Sequence, residues 1–168
     1  MLFRSGQHLQ EAGCDYIVLR EPGVAADLLS PKTFKEFIQP RLTRILAGWK
    51  SPKLLHICGK TEPLLSMMAE CGADGLTVDI KCDVRKGREI LGPDVLFMGN
   101  VDTYTMTCDE KTPVQTSVDH IKDMIDGGVD AVMPGCDLWP AIIEENMKAC
   151  VDTTHEYGKK ASPAVGRL

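Results

Sequence analysis

No stretch of this chain approaches the roughly 20 consecutive apolar residues that span a membrane. Its opening, Met1-Leu2-Phe3-Arg4-Ser5-Gly6, lacks the long apolar segment of a secretory leader. A membrane partner is therefore not expected, and a cytoplasmic location is. No Lys/Arg run is long enough to build a basic stripe, and the formal net charge is −5. Both features argue against nucleic acid as the main partner. The 168 residues contain no linker, no low-complexity segment and no composition break. A single domain over 1–168 with a real core is expected.

Disulfides are not expected either. The seven cysteines are Cys14, Cys58, Cys71, Cys82, Cys108, Cys136 and Cys150. Their number is odd and their spacing matches no small disulfide scaffold. In a reducing compartment they read as free thiols, with metal binding the main exception. Cys14, Cys71 and Cys150 fall in helix or helix-end patterns and read as small buried hydrophobes. Cys82 and Cys108 fall in loops and receive no role.

What the chain does have is a repeated local pattern. Glu11-Ala12-Gly13-Cys14-Asp15 precedes Tyr16-Ile17-Val18-Leu19. Glu70-Cys71-Gly72-Ala73-Asp74 precedes Gly75-Leu76-Thr77-Val78, and Asp126-Gly127-Gly128-Val129-Asp130 precedes Ala131-Val132-Met133. Each reads as a helix ended by glycine, then a turn, then a buried strand. The apolar runs are continuous rather than alternating, as in parallel strands covered on both faces. Lys53–Ile57 and Asp94–Met98 fit two further strands.

Helical patterns lie between the strands. Ser30-Pro31 opens a long one, with Ser as N-cap and Pro at the first helical position. Phe34, Phe37, Ile38, Leu42, Ile45 and Leu46 form its apolar face, and Pro40 is expected to kink it. Thr61–Glu70, Asp83–Leu91, Pro113–Asp126 and Pro140–Tyr157 follow, and Ala161–Leu168 reads as a tail. His8, His120 and His155 sit in helical patterns and are expected to be solvated. Alternating βα units imply an α/β fold with a parallel sheet and right-handed crossovers. A closed eight-stranded barrel needs about 250 residues, so this chain falls short by about three βα units. It is either an open doubly wound sheet or the C-terminal part of a TIM-type barrel.

In both architectures ligands bind at the carboxyl ends of the strands, and the informative residues fall there. In Leu54-Leu55-His56-Ile57-Cys58-Gly59, His56 and Cys58 are two apart, so a strand points both to one face. Met133-Pro134-Gly135-Cys136-Asp137 offers a third soft donor at another strand end. A His-Cys-Cys set with one open position suits catalytic zinc. Zinc held by two thiolates suits a thiol substrate, because the metal lowers the thiol pKa while the anionic donors keep its sulfur nucleophilic. The competing account is a buried His and buried thiols on core strands. Glu21 is a candidate fourth ligand or a capping carboxylate. Asp79 is a candidate for orienting the His or a substrate, or it caps the next helix. Asn100 and Asp102 can hydrogen-bond a polar substrate or shape a turn. Asp137 and Trp139 are assigned no more than pocket lining.

The segment from Leu29 to Pro40, the His56-Ile57-Cys58-Gly59 strand end, Gly72-Ala73-Asp74-Gly75, Gly99-Asn100-Val101-Asp102 and Pro134-Gly135-Cys136-Asp137 occur in that order. Together they resemble the C-terminal half or more of the uroporphyrinogen decarboxylase superfamily. Within it they look most like the methylcobamide:coenzyme M methyltransferases. The Ser-Pro helix and the Gly-Asn-Val-Asp turn are common to both branches. The His-x-Cys and the later Cys, 78 residues from Cys58, look like the methyltransferase zinc ligands. The resemblance implies an (α/β)8 barrel about twice this length, consistent with the shortfall above. It implies zinc on His56, Cys58 and Cys136, and a thiol acceptor such as coenzyme M. The methyl donor it implies is a methylated corrinoid carried by a partner protein. Two alternatives stand beside it. One is a metal-free decarboxylase acting on a tetrapyrrole. The other is a non-catalytic fragment that binds corrinoid or metal, whose exposed barrel edge would pair with a second copy.

Overall fold

The computed structural model describes residues 2–107 and 114–161. Helix α1 (Leu2–Glu11) leads into strand β1 (Ile17–Arg20). Helix α2 (Pro31–Thr33), a π-helical turn (Phe34–Ile38) and α3 (Gln39–Ala47) form one continuous rod before β2 (Lys53–Ile57). A 3-10 turn (Glu62–Leu64) and α4 (Leu65–Ala69) precede β3 (Gly75–Val78), and α5 (Val84–Leu91) precedes β4 (Leu96–Val101). Then come α6 (Thr103–Thr107), α7 (Val114–Asp126), β5 (Ala131–Pro134) and α8 (Glu144–Ala161). The five strands are those expected, with β1 shifted by one residue and β4 running later, to Val101. The expected helix start at Pro113 lies outside the described residues, as does the expected tail beyond Ala161. Among the described residues, no helix is long and apolar enough to cross a membrane.

All strand pairs are parallel, in the order β1-β2-β3-β4-β5. Ile17, Leu19, Leu55, Ile57, Leu76, Val78 and Phe97 join the core with Phe34, Leu46, Leu64, Leu65, Met68 and Ile121 from the helices. The alternate residues of the same strands face the other way. Register places Arg20 beside His56, His56 beside Thr77, and Thr77 beside Met98. These four therefore form one row across that second face.

The helix after Ser30 is corrected in one respect. Ser30 caps it as expected, accepting from Thr33 N at 3.1 Å. The disturbance before Pro40 takes the form of a π turn, with Gln39 N–H bonding to Phe34 O. Proline has no N–H for the preceding turn, and the Arg41 guanidinium takes the Phe37 carbonyl. Phe34, Ile38, Leu42 and Leu46 are spaced by four, and each such step drifts about 40° on a straight helix. The widened turn absorbs about one residue and keeps Phe34, Leu42 and Leu46 on the core. It also swings Phe37 out to 49% exposure, so Phe37 is not part of the apolar face. Cys71 and Cys150 are buried, but Cys14, in the turn after α1, is exposed.

Candidate metal centre

The period of two along each strand builds the site. His56 is near the end of β2 and Cys58 two residues on, so both project from the second face. Thr77 and Asp79 stand in the same relation on β3. Cys136 lies two residues beyond Pro134, the last residue of β5. Gly135 makes that turn possible. A Cβ there would lie 2.9 Å from the Ile80 backbone nitrogen and 3.1 Å from Val101 O. Gly59, just after Cys58, has φ +85°, and a Cβ would meet Asp27 Oδ1 at 2.8 Å. Both cysteine-bearing loops thus depend on close backbone approach.

His56 Nε2 is 3.0 Å from Cys58 Sγ, and Cys58 Sγ is 3.6 Å from Cys136 Sγ. Donor atoms of Cys58, Asp79 and Cys136 all lie within 4.8 Å of one another. His56, expected as a ligand, is not among the three that meet there; its Nε2 lies beside Cys58 alone of them, and Asp79 takes the third place. Burial pushes the Cys58 thiol up to about 11, with the neighbouring Cys136 thiol adding to the rise and Arg20 opposing it. Burial also holds the His56 imidazole below its ordinary value, and the Arg20 charge acts in the same direction. Two sulfurs, an imidazole nitrogen and a carboxylate form a donor set of the kind that zinc takes. The residues present therefore fit a zinc ion.

The remaining residues singled out in the sequence have other attachments. Glu21 Oε1 accepts from Gly23 N at 3.2 Å, shaping the turn after β1. Asn100 is 2% exposed. Its Nδ2 donates to Asp79 O at 2.9 Å and to Cys82 O at 2.7 Å, so it splints the loop that carries Asp79. Asp102 Oδ1 accepts from Tyr104 N at 2.9 Å at the start of α6. Asp79 does not cap α5; Asp83 does, accepting from Arg85 N and Lys86 N.

Two contributors were given no role in the sequence reading, and a third residue, His120, differs from its expectation. Thr77 Oγ1 shares a buried hydrogen bond with His56 Nδ1. That bond fixes the ring so that Nε2 faces Cys58. Arg20 pairs with Asp137, which is more than pocket lining, and its charge opposes the rise in the Cys58 thiol pKa. His120 is half-buried rather than fully solvated. With Asn100, Asp83, Arg85 and Asp123 it lines a polar cavity of about 210 Å³, and burial lowers its pKa. An apolar cleft of about 250 Å³ between β5 and α8 shares no residue with the metal cluster.

Parallel βα units with a soft-donor cluster at the carboxyl ends of their strands define a TIM-type barrel protein with a candidate metal centre. The chain belongs to the uroporphyrinogen decarboxylase (URO-D) family, whose model matches residues 2–157. It is 39% identical over 149 residues to the methylcobamide:CoM methyltransferase MtaA of Methanosarcina barkeri, covering 88% of this chain and 43% of that protein. A solved structure of a methyltransferase from Methanosarcina mazei superposes with a TM-score of 0.85 at 35% identity, over 93% of this chain and 46% of that one. A uroporphyrinogen decarboxylase of Trichlorobacter lovleyi is 23% identical over 136 residues, covering 79% of this chain and 40% of that protein. The chain thus spans less than half the length of the relatives it matches.

Proposed function

We propose that this chain is the metal-bearing part of a corrinoid-to-thiol methyltransferase working in the cytoplasm. The observation that carries this reading is the convergence of Cys58, Asp79 and Cys136 donor atoms within 4.8 Å, with His56 Nε2 beside Cys58. The 39% identity to a methylcobamide:CoM methyltransferase supports it.

His56, Cys58 and Cys136 would hold zinc, which when bound lowers the pKa of an acceptor thiol and keeps its sulfur electron-rich. Thr77 keeps the His56 ring turned toward the centre. The Asp79 carboxylate, close to both cysteine sulfurs, accepts the proton of an incoming thiol, whose sulfur takes the open position. Asn100 holds the Asp79 loop in place. Glu21 and Asp102 stand on the loops after β1 and β4, where a polar acceptor such as coenzyme M would enter. The substrate sulfur then attacks the methyl carbon of a methylated corrinoid presented by a partner protein. A carbon–sulfur bond would form as the methyl group's bond to its donor breaks, the electron pair of that bond would stay with the corrinoid, and the thiol proton would leave through Asp79.

The test is metal per chain in freshly purified protein, with methylcobalamin and coenzyme M as probes of transfer. We expect about one zinc per chain, as for a three-ligand catalytic site, lost together with thiol alkylation in Cys58→Ser and His56→Ala. Undiminished zinc in Cys58→Ser would sink the assignment. Zinc-free wild-type protein, even after reconstitution, would favour the decarboxylase branch.

A further inference from the structure

We propose that Arg20 and Asp137 are paired positioning residues, an ion pair across the mouth of the curled sheet that brings Cys136 to Cys58. The two belong to opposite ends of the fold. Arg20 is the last residue of β1, and Asp137 follows β5, the strand at the far side of the sheet. Strands about 4.8 Å apart would put the outer two of a flat five-stranded sheet about 19 Å from each other. Yet the Arg20 guanidinium bonds to the Asp137 carboxylate, 117 residues along the chain. The sheet must therefore roll until its outer strands face each other across the barrel axis.

That contact encloses the centre. Arg20 stands in register beside His56, whose Nε2 lies 3.0 Å from Cys58 Sγ. Asp137 follows directly on Cys136. One side chain thus stands beside the His56–Cys58 pair of β2 while its partner anchors the loop of the β5 cysteine. Cys58 and Cys136 come from strands three positions apart, and their sulfurs are 3.6 Å apart. Both members of the pair are exposed, at 41% and 73% of the side chain. Such pairs contribute little to global stability, so their removal tests geometry rather than folding.

The variants are Arg20→Gln, Asp137→Asn and the double variant. One readout requires no metal. In chelator-treated protein, dibromobimane bridges two adjacent thiols, and peptide mass spectrometry locates the bridge. We expect Cys58–Cys136 bridging to slow several-fold in each single variant and no further in the double, as for two groups acting as a unit. The second readout, zinc affinity by competition with a chromophoric chelator, rests on the function proposed above. We expect it to fall about tenfold, as when a supporting contact behind a metal ligand is lost. Thermal unfolding checks the fold. Should the glutamine variant be unstable, Arg20→Lys keeps the charge but not the fork and should slow bridging to an intermediate degree. Unchanged bridging in both single variants overturns the proposal, whatever zinc does. Slowed bridging in a protein that binds no zinc upholds the pair and removes the metal reading.

Discussion

Thr77 shows what a single contact does for the centre. The His56 ring is 4% exposed, and its Nδ1 is held by Thr77 Oγ1. Thr77→Val keeps shape and loses the hydroxyl. Leaving a buried ring nitrogen unpaired should cost about 1–3 kcal/mol in urea unfolding, and zinc affinity should fall about tenfold. A variant matching wild type in both would show that the ring needs no such support. His120 makes a different prediction. Burial lowers its pKa, while Asp102 and Asp123 pull the other way, and Arg85 and Asp83 of α5 share its cavity. The unfolded chain takes up a proton near the ordinary value of 6.5 that the folded chain resists. Stability from this group is complete above that value and declines as pH falls toward the lower folded one. His120→Gln should therefore lose less urea stability than wild type between about pH 7.5 and about pH 5. At this scale His56, Cys58 and Cys136 were legible, because alternation along one strand and position at a strand end can be read from sequence. Thr77 and Arg20 were not. Their place beside His56 depends on lateral register, which no single strand encodes. The burial of His120 arises from α5 packing near α7, and its own helix pattern does not carry that information.

Among the elements, α5 carries the clearest burden. Asp83 caps it through Arg85 N and Lys86 N, so Asp83→Ala should cost about 1 kcal/mol in thermal unfolding. Arg88, on the same helix, binds the opposite end of the sheet. Its guanidinium donates to Gly128 O, Gly92 O, Val95 O and Asp130 Oδ2 and lies over the Phe97 ring at 5.5 Å. Asp130 Oδ2 also accepts from Phe97 N at 2.8 Å. The Arg88 side chain is only 20% exposed, unlike the other ion pairs of α5. Arg88→Ala removes hydrogen bonds to several carbonyls and to a part-exposed carboxylate and should cost about 1–3 kcal/mol. A loss under about 1 kcal/mol would rank it with ordinary surface pairs. The strands and most helices were legible from continuous apolar runs and glycine stops. The π turn was not. Pro40 announces a disturbance, but the sequence does not say whether the rod bends or takes in an extra residue. The four-residue spacing from Phe34 to Leu46 is consistent with the latter only once the facing core is known.

For the whole molecule, the sheet ends in β1 and β5, and neither has an outer neighbour among the described residues. In a full (α/β)8 barrel both of these strands would have a further parallel neighbour. The parallel βα order and the shortfall from a full barrel were legible in the sequence. How far the sheet rolls was not, because curvature is a property of all the strands together.

The rolled sheet makes the two cysteines a gauge of its shape. They sit at the ends of an arc that runs from β2 to β5, so a small opening of the arc becomes a large separation between sulfurs. Any event that flattens or tightens the sheet, such as a neighbour joining β1 or β5, would be registered at the centre without touching it. Reactivity of the thiol pair would then report assembly at a distance.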